Sequence, residues 1–405
     1  MNNRFKEECK KSAYKNRLGK VVVGDEIFSN NDYLSEIKYN DSCISNNNLI
    51  GITNASSLEF KTLCTEDLSD KRVTASVGVI YDDKTEEYIN VGTYTISKQT
   101  NEDTTINGEY KALDDSYKLD EVYVCNISDL DNATIGDFYI DVCSQLGLVP
   151  KTTTFMNSSI KIGGNPFTNR ETCRTVMHSI AQVACSFTKI DWDTNEIDLT
   201  WFDTEYVDTL SKNDYSTLEK NQQFGPVNSL VIKDTYTEGE NVTREDEQSI
   251  QENGECQISI EDNYFLYTEE LRTEAIGNIW NRIKGFTYIN YKLISYVGRP
   301  YWRKGNKVRI EDNEGNYFDS YIINHDFTYD GTFTSTIEAP SLTSTQTAIK
   351  NKQESTTTKL RRVERTVNKV DGEISEFTKV FKEEGRHAEA DGWGCVGGTC
   401  GCRCQ

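Results

Sequence analysis

The stretch RVTASVGVIYDDKTEE, residues 72–87, decides the fold class of this chain. Apolar or aromatic side chains recur at every second position from 73 to 81, and the residues between them are mostly small or polar. This period of two is typical of a strand with one buried face. The turn-like run DDKTEE follows, and residues 106–113 repeat the alternation, so an antiparallel β unit, a barrel or a sandwich, is predicted over about residues 20–125. The alternating residues are Val73, Ala75, Val77, Val79 and Tyr81, then Ile106, Tyr110 and Ala112.

The middle of the chain, residues 126–224, changes to a helical period. Thr134 and Asp137 can cap a helix that ends before Gly147. A capping-box spacing from Thr168 to Glu171 predicts the start of a second helix. The run FTKIDWDTNEIDLTWF, residues 187–202, then predicts a hairpin. This part is therefore an α+β domain.

Residues 225–340 return to strands around one long helix. Within TEELRTEAIGNIWNRIKG, residues 268–285, apolar residues share one face and Gly285 supplies a stop. Four residues of the strands that follow lie on one face. They are Tyr321, Ile323, Phe327 and Tyr329.

The segment KLRRVERTVNKVDGEISEFTKVF, residues 359–381, has a strict heptad repeat. Its apolar residues are separated by three and four positions in turn, and charged residues fill most places between them. This narrow stripe favours a coiled coil over an ordinary amphipathic helix, and the seam residues are compatible with a trimer. A linker rich in Thr and Ser precedes it, so linker and coiled coil cover 341–385. The predicted oligomerisation seam is Leu360, Val363, Val367, Val370, Ile374, Phe377 and Phe381.

The net charge of −21 over 405 residues argues against nucleic-acid binding through phosphate neutralisation. An acidic surface can still line a path through which DNA slides without sticking. Residues 1–19 form a basic N-terminal arm, interpreted as a solvated helix face or a contact for an acidic neighbour. No apolar run has the length of a membrane span or of a signal peptide, so we expect no stable membrane insertion and no Sec export.

Cysteine usage divides the chain into two parts. Eight cysteines are scattered singly before residue 260, which is typical of reduced, partly buried thiols made in a cytoplasm. Four more lie among the last eleven residues, in a spacing unlike that of common zinc sites. Residues 386–405 are interpreted as a Cys-rich tail, possibly an artefactual end, without a metal.

No common catalytic or phosphate-binding motif is present in the sequence. Of three histidines, His178 is interpreted as a packed or partly exposed helix residue and His325 as a core residue on a strand face. The run DWDTNEID resembles a calcium loop but lacks its glycine and its last glutamate, which favours a hairpin turn. We therefore predict no enzyme, and no catalytic, cofactor-binding or metal-binding residue.

Several stretches between residues 40 and 340 resemble the tail hub proteins of tailed bacteriophages. The order of elements, a β unit, an α+β insert, a second β unit with a long helix and a coiled coil, is similar to that family as well. The stretches are DSCISNNNLIGITNASSLEF, NVGTYTISKQ, EYKALDDSYKLDEVY, NPFTNRETCRTVMHSIAQVACSF, EDNYFLYTEELRTEAIGNIWNRIKGF and GRPYWRKGNKVRI.

The resemblance implies a mainly β protein of the α+β class. Two tube-like β-barrel domains, 20–125 and 225–340, would flank the α+β domain, and a C-terminal coiled-coil helix would follow. Three chains would form a homotrimeric ring that caps the distal end of the tail tube, contacts distal tail proteins and anchors tip or fibre proteins. Genomic DNA would pass through the ring during ejection without specific binding. The protein would assemble in the host bacterial cytoplasm and reside in the virion.

Two alternatives remain open. The chain could be the N-terminal hub portion of a tail-associated cell-wall hydrolase, acting through acidic residues of the α+β domain. It could also be a receptor-binding fibre base that recognises surface sugar through Trp192 or Trp201.

Overall fold

The computed structural model describes residues 3–11, 16–30, 34–44, 49–63, 67–101, 108–168, 170–235 and 240–341. The helices in these ranges are α1 (Asn3–Lys10), α2 (Ile135–Leu146), α3 (Cys173–Val183), α4 (Glu247–Asn253) and α5 (Glu269–Ile283), with a 3₁₀ helix at Asp115–Asp120. Strands are more numerous, and the protein is mainly β.

Seven strands precede α2, and twelve follow α3. The first group is β1 (Arg17–Val23), β2 (Glu26–Ser29), β3 (Leu34–Ser42), β4 (Ser57–Thr62), β5 (Arg72–Ile80), β6 (Glu86–Asn101) and β7 (Gly108–Leu113). The second group is β8 (Phe187–Ile190), β9 (Ile197–Thr200), β10 (Tyr206–Leu210), β11 (Thr217–Phe224), β12 (Ser229–Ile232), β13 (Val242–Glu245), β14 (Gln257–Ile260), β15 (Tyr288–Ser295), β16 (Lys307–Glu311), β17 (Tyr317–Tyr321), β18 (Asn324–Tyr329) and β19 (Phe333–Ala339).

Eleven strands form one antiparallel sheet in the order β11-β15-β19-β18-β3-β4-β7-β6-β5-β1-β2. The strands of the two predicted β domains meet at β3 and β18, where Tyr39 lies opposite Phe327. Their rings stack with centroids 4.9 Å apart. In the described residues the two predicted barrels are therefore not closed, and the strands from both ranges share one open sheet. The alternating pattern predicted the strand faces correctly. It does not determine whether a barrel closes, because closure depends on which distant strands pair.

The sheet is strongly curved at its β1 end. Gly19 of β1 is so close to the ring of Tyr329 that a Cβ atom at this position would overlap it, and Ile37 lies nearby. Since Tyr329 belongs to β18 and Ile37 to β3, β1 curls back over the same sheet. Glycine permits this close approach of backbone and ring.

Three smaller sheets complete the structure. β10 pairs in parallel with β16, which pairs with β17. β12 lies between β13 and β14. β8 and β9 form the predicted hairpin. All described residues belong to one compact unit, so the predicted segments 20–125, 126–224 and 225–340 pack against one another.

The predicted caps are confirmed for two helices. Asp137 N–H donates to Thr134 Oγ1 at 3.3 Å and Thr134 N–H to Asp137 Oδ2 at 2.8 Å, which is a capping box at the start of α2. Gly147 ends α2 with φ 62°. Thr268 caps α5, and Gly285 follows its end.

The predicted start of the second helix is wrong by a few residues. Thr168 does donate to Glu171, with its N–H 2.8 Å from Oε2, but α3 begins at Cys173 and its N-cap is Thr172. Backbone hydrogen bonds explain the delay. Tyr123 N–H donates to Glu171 O, and Cys173 N–H donates to Glu121 O, both at 2.8 Å, which holds the chain extended before the helix.

The predicted basic arm, 1–19, is folded where the structure describes it. Phe5 and Cys9 of α1 are fully buried. Arg17 Nη2 donates to Glu8 O at 3.0 Å and to Lys11 O at 2.8 Å, so a guanidinium satisfies carbonyl groups at the C-terminus of α1. The basic residues therefore include structural groups as well as solvated ones.

The thiol prediction is confirmed for the seven cysteines that lie in the described ranges. All seven are free, and five are buried. Burial raises the pKa of the Cys43 and Cys185 thiols to about 12, so they are protonated at neutral pH. None of the described helices is long and apolar enough to cross a membrane.

Candidate functional site

Residues 298–307, here called the junction segment, lead from β15 in the large sheet into β16 of a small sheet. Gly298 begins the segment against β19, where a Cβ atom would lie 2.6 Å from Thr334 N. Its own N–H donates to Phe333 O at 2.8 Å. The junction segment therefore starts in close backbone contact with the edge of a neighbouring strand.

Arg299 of the junction segment is fully buried between two carboxylates. Its Nη2 lies 2.6 Å from Asp214 Oδ1, and its Nη1 lies 3.3 Å from Asp208 Oδ2. Asp208 also accepts hydrogen bonds from Tyr301 Oη at 2.6 Å and from Trp302 Nε1 at 3.3 Å. A buried guanidinium is tolerated only with such partners. This group of side chains fixes β10 to the junction segment.

Asp41 forms a second buried ionic group with the junction segment. Arg303 Nε lies 2.9 Å and Lys304 Nζ 3.3 Å from its two oxygens, and Ser56 Oγ donates to it at 2.7 Å. Burial alone opposes ionisation, but the charges of Lys304 and Arg303 and the hydrogen bonds outweigh it, so the pKa of Asp41 is well below its usual value. The ionised carboxylate ties β3 to a segment about 260 residues further along the chain.

Helix α1 covers the same region from outside. The Lys6 ammonium lies 5.1 Å from the Tyr301 ring centroid, and Lys10 Nζ lies 3.8 Å from Asp208 Oδ1. Three parts of the chain, α1, β3 and the α+β segment, therefore converge on the junction segment.

His325 is a core residue, as predicted. Its Nδ1 lies 3.1 Å from Trp302 O and its Nε2 3.1 Å from Ser335 Oγ. These partners fit a neutral ring that donates to the carbonyl and accepts from the hydroxyl. Burial lowers the pKa of His325 to about 4, although the negative charge of Asp41 opposes the shift.

We predict that His325 makes the fold acid-sensitive between pH 6.5 and about 4. In this window the unfolded histidine binds a proton and the folded one does not, so stability falls as the pH falls, by about 3 kcal/mol in total. The free energy of unfolding, measured with urea at several pH values, should depend less steeply on pH in His325→Gln than in the wild type. A slope unchanged in His325→Gln would contradict the prediction.

His178 is a partly buried residue of α3, as predicted. Its Nδ1 is hydrogen-bonded to Gly51 O. This bond connects α3 to the loop after β3. His178 is therefore a structural contact.

The DWDTNEID run is a hairpin turn, as predicted. Asp191 accepts from Asp193 N–H at 3.0 Å, from Thr194 N–H at 3.2 Å and from Lys151 Nζ at 2.7 Å. Its carboxylate is thus occupied by the turn and by one lysine. Within the described ranges, no group of three His, Cys, Asp or Glu side chains could hold a metal ion.

A cleft of about 400 Å³ lies beside the Asp41 group, between β6 and the β8–β9 hairpin. We call it the β6–β8 cleft. Arg303 forms part of its wall, with the guanidinium carbon 3.7 Å from the Trp192 ring centroid. Lys189 lies in the wall too, and burial, with the nearby charge of Arg303, lowers its pKa to about 8. The lining residues include Tyr88, Asn90, Lys189, Trp192, Asp198 and Arg303.

Sequence reasoning identified some of these residues and missed others. Trp192 was named as a possible sugar contact and lines the cleft. Trp201 was named beside it but packs elsewhere, with its ring 4.9 Å from Phe202 and 5.4 Å from Phe286. Asp41, Arg299 and Lys189 were missed.

The predicted oligomerisation seam, Leu360 to Phe381, lies outside the described residues, as does the Cys-rich tail 386–405. The coiled coil therefore stays a prediction.

Neither a protein-family model nor a curated protein matches the chain. Solved structures do match. A tail protein from Neisseria meningitidis MC58 superposes with a TM-score of 0.54 at 13% identity, over 81% of this chain and 98% of that one. The 43 kDa tail protein of prophage MuSo2 from Shewanella oneidensis gives a TM-score of 0.52 at 12% identity, with the same coverage of 81% and 98%.

The chain thus has the fold of phage tail proteins. This agrees with the resemblance drawn from the sequence and confirms it at the level of the fold. The match covers nearly the whole length of both solved proteins.

Proposed function

We propose that this chain is a structural protein of a bacteriophage tail. The observation that carries the proposal is the shared fold, which extends over 98% of two solved tail proteins. The interior supports a scaffolding role. The buried ionic groups around Arg299 and Asp41 connect distant parts of the chain. Within each group, the charged side chains form ion pairs with one another.

We further propose that three copies form a hub that caps the distal end of the tail tube. The heptad repeat at 359–381 supports self-association. The open sheet supports it as well, because the end strands β11 and β2 each have one edge unpaired within the described residues. Such edges are pairing sites for another chain. A neighbouring copy in the proposed ring, or a neighbouring tail protein, would pair with these strand edges.

In this proposal the hub joins the tail tube and distal tail proteins to tip or fibre proteins. Genomic DNA passes through the ring during ejection, and the net charge of −21 supports passage without binding. The free thiols support assembly in a reducing host cytoplasm, before incorporation into the virion.

Antibody labelling of phage particles tests the proposed location. Gold label confined to the distal end of the tail, seen by electron microscopy, is the expected result. Label along the whole tail, or at the head, would contradict a hub.

The proposal includes no enzymatic activity. A zymogram of the purified full chain on peptidoglycan is expected to show no clearing, because the proposed role is structural. A clearing zone that disappeared with Asp198→Asn, but not with Asp262→Asn, would instead support the cell-wall hydrolase alternative.

A further inference from the structure

The β6–β8 cleft has features that a scaffold does not require. Its volume of about 400 Å³ lies within the range of small-molecule sites. Its walls combine aromatic rings with charged and amide side chains. We propose that this cleft binds a short neutral saccharide of one to two sugar units, a function beyond the structural role proposed above.

The first argument is that part of the wall is rigid. Arg303 is held by Asp41, by Ile190 O at 2.9 Å from Nη2 and by the Trp192 ring. Asn90 Nδ2 donates to Trp192 O, which fixes the hairpin against β6. The rings of Tyr39 and Trp192 pack edge to face with centroids 5.2 Å apart. The cleft is therefore formed before any ligand enters, which favours binding.

The second argument is that other polar groups in the wall have free hydrogen-bonding capacity. Within the described ranges, the Lys189 ammonium and the carboxylates of Asp193 and Asp198 make no hydrogen bond or ion pair, although all three line the cleft. Lys189 and Asp198 lie opposite each other in the β8–β9 hairpin. The Lys189 ammonium donates hydrogen bonds and the Asp198 carboxylate accepts them. A sugar hydroxyl group can both donate and accept.

The third argument is charge balance. The cleft is lined by three cations, Lys151, Lys189 and Arg303, and by three carboxylates. Lys151 and Arg303 are already paired, with Asp191 and Asp41. A charged ligand would meet groups of both signs, whereas a neutral polyhydroxyl ligand can use donors and acceptors together. The carboxylates are Asp191, Asp193 and Asp198.

The aromatic side chains complete the site. Tyr88 of β6 and Trp192 of the hairpin turn both contribute ring surface to the cleft, and each ring also carries one cation, Lys20 at 4.5 Å from the Tyr88 centroid and Arg303 over Trp192. The C–H faces of pyranose rings pack on such surfaces while their hydroxyls reach polar groups. An anion would gain nothing from the faces of these rings.

The test is binding of the full-length chain to an array of bacterial surface oligosaccharides. Titration calorimetry with lactose, maltose and diacetylchitobiose at millimolar concentration complements it. We expect binding of at least one saccharide at one site per chain. Lys189→Met and Asp198→Asn should each weaken it about tenfold or more, because each removes a hydrogen bond to a charged group.

Lys292→Met, an exposed lysine on β15, is the matched control and should bind like the wild type. Thermal melts verify that each variant is folded, and Asp193→Asn in the exposed turn provides a further variant if either of the first two unfolds. Absence of binding to every saccharide, or binding that survives all three cleft substitutions, would overturn the proposal. Either result leaves the tail role untouched, since that role rests on the fold.

Discussion

Replacement of Asp41 by alanine is expected to lower the free energy of unfolding by about 3–5 kcal/mol. The substitution leaves Arg303 and Lys304, whose side chains are only 11% and 2% exposed, without their carboxylate. It also removes the acceptor of Ser56 Oγ. Loss of one partner in a buried ion pair is costly because the remaining charge stays desolvated.

Urea denaturation followed by tryptophan fluorescence measures this effect. A lower midpoint with an unchanged slope indicates lost stability and not a changed denatured state. Asp41→Asn keeps the side-chain volume and isolates the contribution of the charge. Asp83→Ala is the control, because the side chains of Asp83 and its partner Arg4 are 52% and 51% exposed. The free energy of unfolding of this control should change little, since solvent screens exposed ion pairs.

Acid titration provides a second readout of the same group. Because the folded pKa of Asp41 is depressed, its stabilisation is present above the ordinary pKa of 3.8 and is lost as the pH falls through the lower folded value. A variant without Asp41 should therefore lose less stability than the wild type below that pH. An Asp41→Ala chain as stable as the wild type would show that the Asp41 group does not hold the fold together.

The sequence predicted strand faces well because alternation is a local property. Tyr110 and Ala112 were placed on one face, and both are buried. Phe327 and Tyr329 also share a buried face of β18, whereas Tyr321, placed with them, belongs to β17. The pairing of β3 with β18 is different, since these strands lie about 290 residues apart in the chain. A period of two does not specify the partner strand, so barrels were predicted where an open sheet exists.

The helix starts show where local rules fail. Thr134 caps α2 through its capping box, and the first N–H groups of the helix, those of Ile135 and Gly136, donate to residues 160 and 158 outside it. The same spacing at Thr168 makes its hydrogen bond, but Glu171 and Cys173 are engaged by residues 121–123. Tertiary contacts thus decided the start of α3.

The ionic groups of the junction segment could not be predicted from residue types. The chain has 65 acidic residues, and nothing local distinguishes Asp41 or Asp208 from the others. The segment GRPYWRKGNKVRI is dense in cations and aromatic rings, and this composition is the only signal that the sequence offers. Trp192 was identified from its chemistry alone, whereas Lys189 became apparent only when the hairpin was placed against β6.

The double substitution Val367→Asp and Ile374→Asp is expected to convert the predicted trimer into monomers. These positions belong to the predicted seam, where each apolar side chain contributes about 1.5–3 kcal/mol when buried. The substitutions remove that contribution from every chain and place like charges near a common axis. Association should weaken by several orders of magnitude, while the described body, residues 3–341, should keep its thermal stability.

The sequence offers a closely matched control. Asn368→Asp with Ser375→Asp adds the same two carboxylates one residue further along, outside the seam, so the trimer should persist. Sedimentation equilibrium at micromolar concentration distinguishes the three chains. A monomeric wild type, or a seam variant as trimeric as the wild type, would contradict the coiled coil. Antibody labelling reports where the protein lies in the particle, whereas sedimentation reports whether it associates. Label at the tail together with a monomer in sedimentation would therefore identify a tail protein that does not trimerise through residues 359–381.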